Sequence, residues 1–139
     1  MHVVLNALCI TNRSGTGRYA WGLIDGLLRL NEPDLFLSVL IPADFSLPPN
    51  WQQNERVRFY SVPIASALHR IIWEQWCLPA WLRRIKPDLF HSPAFLAPVL
   101  RAPGVKQAVT IHDLAFLRYP QTIPLHRRLF YRWIIPRSW

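Results

Sequence analysis

Short apolar runs alternate with stretches of helical period along this chain, and that alternation leaves few folds open to it. His2 to Ile10 is mostly apolar, as suits a central strand covered on both faces. Asn12 to Gly17 reads as a loop, and Arg18 to Leu30 then carries Tyr19, Leu23, Leu27 and Leu30 at helical spacing, with Asn31 as a stop. Leu35 to Ile41 predicts a second strand ended by Pro42, Pro48-Pro49-Asn50 a surface loop, and Val57 to Val62 a third strand. Ser66 to Ile85 is helical in pattern, with Ser66 as its N-cap and Pro79 breaking or kinking it midway. Asp88 to His91 predicts a short strand and Pro93 to Pro98 a loop. Pro103-Gly104 turns the chain into a strand at Lys106 to Ile111, and Pro124 opens a final helix. Strands alternating with helices predict an α/β fold with a doubly wound, mainly parallel sheet.

The chain's 139 residues suffice for one domain with a real core, and a 51% hydrophobic share with 17% charged excludes a disordered tail. No apolar run approaches the roughly 20 residues a membrane helix needs. No basic segment precedes the first apolar stretch, so Met1 to Ile10 reads as a strand and not as a signal peptide. Cys9 and Cys77 are too few for a disulfide framework or a metal cluster. A cytoplasmic, reducing location is therefore expected.

Sixteen Lys plus Arg against eight Asp plus Glu give a formal charge of +8. Beyond Asp113 there is no acid, while Arg118, Arg127, Arg128, Arg132 and Arg137 follow. This asymmetry predicts an anionic partner, in principle a phosphate-bearing ligand, an acidic membrane surface or nucleic acid. Nucleic acid is not expected, because no surface run interleaves Lys with aromatics. The alternative is that acids balancing the charge lie in a further part of the protein. The sequence ends at Arg137-Ser138-Trp139, inside a helical pattern with neither a cap nor a closing strand, as a truncated fold would.

Chemistry concentrates in two loops. Val109, Thr110 and Ile111 suit a buried strand, and His112 and Asp113 follow at its exit, where ligands sit in an open α/β sheet. His112 there can donate to a sugar hydroxyl or a phosphate oxygen, and Asp113 can orient the imidazole or cap the next turn. His91-Ser92-Pro93 repeats the arrangement on a neighbouring strand. His2, His69 and His126 read as surface or packing residues. Gly15-Thr16-Gly17-Arg18-Tyr19-Ala20 fits the G-x-G-x-x-G/A pattern, whose small residues let helix N-terminal N–H groups approach a phosphate. With Asp44 as ribose-binding acid it would make an NAD(P) site, although both the strand-to-glycine gap and the distance to Asp44 are too long. The plainer account is a glycine turn that lets the helix pack on the sheet. The two loops are expected to face each other across one cleft. The run Ile71 to Arg84, rich in Trp and Arg, is expected to be mostly buried, with Trp81, Arg83 and Arg84 as the residues to meet lipid headgroups. A basic, non-enzymatic membrane-binding module is the remaining alternative.

Asn12-Arg-Ser-Gly-Thr-Gly-Arg-Tyr19, Glu74-Gln75 with Leu78-Pro79, Asp88-Leu-Phe-His-Ser-Pro93 and Val109-Thr-Ile-His-Asp-Leu114 occur in one order over nearly the whole chain. Together they resemble the N-terminal half of bacterial group-1 (family four) retaining glycosyltransferases, among them many mannosyltransferases. The resemblance implies half of a GT-B fold, in which two Rossmann-like domains face across a cleft. Residues 1–139 would be the acceptor-side domain, with the C-terminal donor-binding domain absent and the fragment inactive alone. It implies a nucleotide-sugar donor as co-substrate, no cofactor, and no metal. A glycan or lipid-linked acceptor is implied too, in polysaccharide or glycolipid synthesis at the inner face of the membrane. It also implies that Gly15, Thr16 and Gly17 approach the donor diphosphate and that His112, with Asp113, serves the transferred sugar. Asn12, His91, Ser92, Arg118 and Tyr119 would line the acceptor pocket.

Overall fold

The computed structural model describes residues 1–12, 15–30, 32–114, 118 and 121. The expected final helix from Pro124, with Tyr119 and His126, lies outside them. Eight elements follow in order: β1 (His2–Asn6), α1 (Gly15–Leu30), β2 (Phe36–Pro42), α2 (Pro49–Gln52), β3 (Val57–Val62), α3 (Ala67–Ile85), β4 (Leu89–Ser92) and β5 (Lys106–Val109). The five strands form one sheet in the order β3-β2-β1-β4-β5, and every neighbouring pair is parallel. The doubly wound α/β expectation holds.

Alternation along the strands builds two cores. Val3 and Leu5 of β1 and Leu37, Val39 and Ile41 of β2 point to one face, where Ile24 of α1 buries against them. Val4, Leu40 and Phe90 point to the other, under Leu78 and Leu82 of α3. Because both faces of β1 and β2 are covered, these strands read as continuous apolar runs.

Several boundaries moved, each for a physical reason. The apolar run from His2 to Ile10 outlasts β1, because Ala7 to Ile10 are buried in turns closed by Ile10 N–H to the Ala7 carbonyl and Asn12 N–H to the Cys9 carbonyl. β5 stops at Val109 instead of Ile111, since its partner β4 ends at Ser92 and the last rung is Thr110 N–H to the Ser92 carbonyl. α1 begins at Gly15, so Gly15, Thr16 and Gly17 are its first turn and not the loop before it. The Pro48-Pro49-Asn50 loop opens a short helix, α2, whose Trp51 is 1% exposed and stacks on Phe59 at 6.0 Å. α3 runs unbroken through a buried Pro79, and Ser66 caps it by accepting from His69 N–H.

The run Ile71 to Arg84 is oriented differently from the expectation. Trp81 is half-buried, edge-on to Tyr60 at 5.1 Å, whereas Trp76 is 69% exposed. Ile72 and Leu68, one and two turns before Trp76, are also exposed. Arg83 and Arg84 are exposed as expected. Helical phase decides this, because Glu74, Leu78 and Leu82 take the inward stripe and Ile72 and Trp76, two positions away from its members, fall on the opposite side. Among the described residues no helix is long and apolar enough to cross a membrane.

Candidate functional site

The strand order reverses at β1. The chain winds outward through β2 and β3, then crosses back to lay β4 and β5 on the other side of β1. Such a switch point opens a crevice at the carboxyl ends of the two inner strands, here beyond Asn6 and Ser92. Both singled-out loops end at that rim.

His112 leaves β5 three residues past its end and is exposed. Its Nε2 lies 2.8 Å from the Pro93 carbonyl oxygen, an acceptor only, so Nε2 carries the hydrogen and donates. In the neutral ring Nδ1 is then the acceptor, free of that bond. Two aromatic rings stand edge-on to the imidazole, Tyr19 at 4.9 Å and Phe95 at 5.6 Å. Tyr19 belongs to the second turn of α1, so its contact with His112 brings the glycine-bearing turn and the imidazole to the same edge. The Tyr19 hydroxyl is 3.3 Å from Thr110 Oγ1, which shares a 2.8 Å hydrogen bond with His91 Nε2. Burial holds His91 below the ordinary histidine pKa, favouring a neutral ring in this network.

The glycines divide the work. A Cβ on Gly17 would overlap the Asn12 carbonyl oxygen and stand 3.1 Å from that of Cys9, so Gly17 is what lets the β1–α1 loop lie on the helix. Gly15 has open space where a Cβ would stand and is exposed at the helix N-terminus. The packing account covers Gly17 but not Gly15, where a Cβ would meet nothing. Asn12 and Asp113 are exposed along the rim, and Arg118 is exposed beyond it with its N–H on the Leu114 carbonyl. Ser92 is 1% exposed and its hydroxyl donates to the Leu96 carbonyl, so it shapes the loop after β4 and does not open into the crevice.

Under the switch point lies a buried polar cluster that the sequence reading passed over. Asn6 Nδ2 donates to Glu74 Oε1 at 2.9 Å, and Arg70 Nε stands 3.8 Å from the same oxygen without hydrogen-bonding it. Glu74 is 5% exposed, and burial raises its carboxyl pKa against the opposing pull of Arg70 and Asn6. The available signal was the spacing of Glu74, the one acid of α3, four and eight positions before Leu78 and Leu82, which puts it on their inward stripe, where an acid must be paired. Gln75 beside it fixes the next loop, accepting from Val99 N–H and donating to the Ala97 carbonyl. With the folded pKa raised, the native state keeps the proton to higher pH than the unfolded chain does. Stability is then fullest below about pH 4 as regards this group and falls as pH rises through the folded value. Glu74→Gln is expected to remove that fall, so the wild type should lose ground to the variant in urea titrations run at rising pH.

A family model described as Glycosyltransferase Family 4 matches residues 13–139. The chain belongs to that glycosyltransferase family. Neither the curated proteins nor the solved structures give a significant match. A transferase of this family acts on a sugar donor and an acceptor, and the family-4 match spans both rim loops, the Glu74 helix and β4. The dinucleotide reading gains nothing from it. The residues that sequence reasoning missed around the rim, Tyr19, Thr110 and Phe95, are recognisable only once the start of α1, the loop after β4 and the segment after β5 are brought together.

Proposed function

We propose that this chain is the acceptor-side half of a retaining GT-B hexosyltransferase. It would move a mannose-like hexose from a nucleotide-sugar to a glycan or lipid-linked acceptor. The observation that carries the reading is the His112 ring at the carboxyl edge of the sheet, with Nε2 tied to Pro93 and Tyr19 of α1 against it. With Nε2 donating to Pro93, His112 accepts from a hydroxyl of the transferred sugar at Nδ1. That bond strengthens as the sugar acquires oxocarbenium character, which makes it worth more in the transition state than in the ground state. Asp113 supports the imidazole from the next position. The N–H groups of Gly15 and Thr16 at the start of α1 approach the donor diphosphate and favour its negative charge.

Asn12, His91 and Arg118 line the acceptor side, with Ser92 holding the loop that follows β4. The stripe of Leu68, Ile72 and Trp76, flanked by Arg83 and Arg84, supports a peripheral contact with an anionic membrane on its cytoplasmic face. The one acid of α3, Glu74, is buried away from that face. Co-sedimentation with anionic vesicles, reduced by Trp76→Ser, checks the contact.

Transfer also needs a donor-binding domain, because a departing diphosphate is stabilised only in a closed, largely dry cleft. The chain alone, incubated with radiolabelled nucleotide-sugars and lipid or sugar acceptors, is therefore expected to give no turnover above background. Robust turnover would refute this division of labour.

A further inference from the structure

Phe95 has φ = +44°, a left-handed backbone in which a bulky side chain is strained. The other non-glycine residue with positive φ is Lys86, and there the conformation has a plain purpose, since Lys86 is the C-cap that ends α3. Phe95 ends no helix. Strain of this kind persists only where the surroundings enforce it, and here they do: Phe95 N–H donates to the Thr110 carbonyl at 3.1 Å, which pins the loop after β4 to the exit of β5. The result is a ring edge-on to His112 at 5.6 Å.

Tyr19 completes the arrangement from the other element. Its ring stands edge-on to His112 at 4.9 Å, and its hydroxyl is anchored by Thr110, which His91 holds in turn. An exposed imidazole with one hydrogen bond would be free to swing about Cα–Cβ. With two aromatic walls and the Pro93 carbonyl, drawn from α1 and the β4 loop, a single ring placement is left.

We propose that Phe95 and Tyr19 are positioning residues for His112, the strained backbone at Phe95 being retained because it delivers an aromatic wall to the imidazole. Their value to transfer rests on the reading of His112 given above, but the ring placement itself does not. Both walls act through the ring and not through a polar group, so an aromatic substitute serves and an aliphatic one does not.

The test is side-chain carbon relaxation of His112 in the 139-residue chain, which needs no sugar and no second domain. In the wild type the order parameter of the imidazole Cε1–H bond is expected near the rigid value of about 0.85, and in Phe95→Leu or Tyr19→Leu below about 0.6. Phe95→Tyr and Tyr19→Phe are expected to keep the wild-type value. Tyr19 is 38% exposed, so its Leu variant serves even where the Phe95 variant fails to fold. Wild-type order in Tyr19→Leu would overturn the proposal, and so would equal loss of order in Tyr19→Phe. Failure of the transferase reading would instead show as unchanged sugar transfer in His112→Ala, with the order parameters as stated here.

Discussion

His112→Ala, made in a polypeptide carrying both halves of the transferase, is expected to lower kcat/KM by about 10² or more. That corresponds to about 2.7 kcal/mol of transition-state stabilisation. The loss should fall on kcat, since a hydrogen bond that tightens as the sugar becomes cationic contributes little to ground-state binding. Folding should be almost untouched. His112 is exposed, and its removal frees the Pro93 carbonyl at a rim that water reaches. The measurement is steady-state transfer at saturating donor and acceptor, with urea titration as the control. A rate within twofold of the wild type would remove His112 from the mechanism and, with it, the observation that carries the functional reading.

Gly17→Ala should do the opposite, damaging the fold first. The added methyl would occupy the space of the Asn12 carbonyl oxygen, and the Cys9 carbonyl oxygen lies 3.1 Å away. Both obstacles are backbone, so neither can rotate aside. Either α1 backs off the sheet or the turn over β1 opens. We expect a loss of about 3 kcal/mol, at the upper end of overpacking costs, and a fall in melting temperature on the order of 10 °C. Gly15→Ala is the paired control. A Cβ there meets nothing within 4 Å, so thermal stability should stay level or rise slightly. If a diphosphate does approach that turn, Gly15→Ala should still weaken transfer in the two-domain protein, because the methyl would stand in the ligand's path. Equal melting temperatures for the two variants would refute the contrast.

Alternation of apolar runs with helical periods was enough to specify the α/β class, and His112-Asp113 and the glycine turn stood out as chemistry at strand exits. Ser66 was readable as a cap because capping is a local hydrogen bond, and it caps α3 as expected. Those signals are short-range. Trp81 and Trp76 show where such reading ends. Both sit in one apolar helix, and which of them faces water depends on the stripe that Glu74, Leu78 and Leu82 commit to the sheet. Trp51 directly follows the Pro48-Pro49-Asn50 stretch read as a surface loop, and its burial against Phe59, Phe45 and Trp21 is set by the tertiary fold.

By itself the amino-acid order determined the periodicities, the glycine turn and the imidazole after an extended run, since each depends on residues within a few positions of one another. Tertiary structure alone decided that Tyr19, Phe95, Thr110 and His91 gather about His112, and that Asn6 meets Glu74 under the crevice. Tyr19 and Thr110 are 91 positions apart, and Asn6 and Glu74 are 68 apart. The crossover that carries the chain back past β1 makes them neighbours, and that crossover is a property of how strands pack, not of any local run of residues.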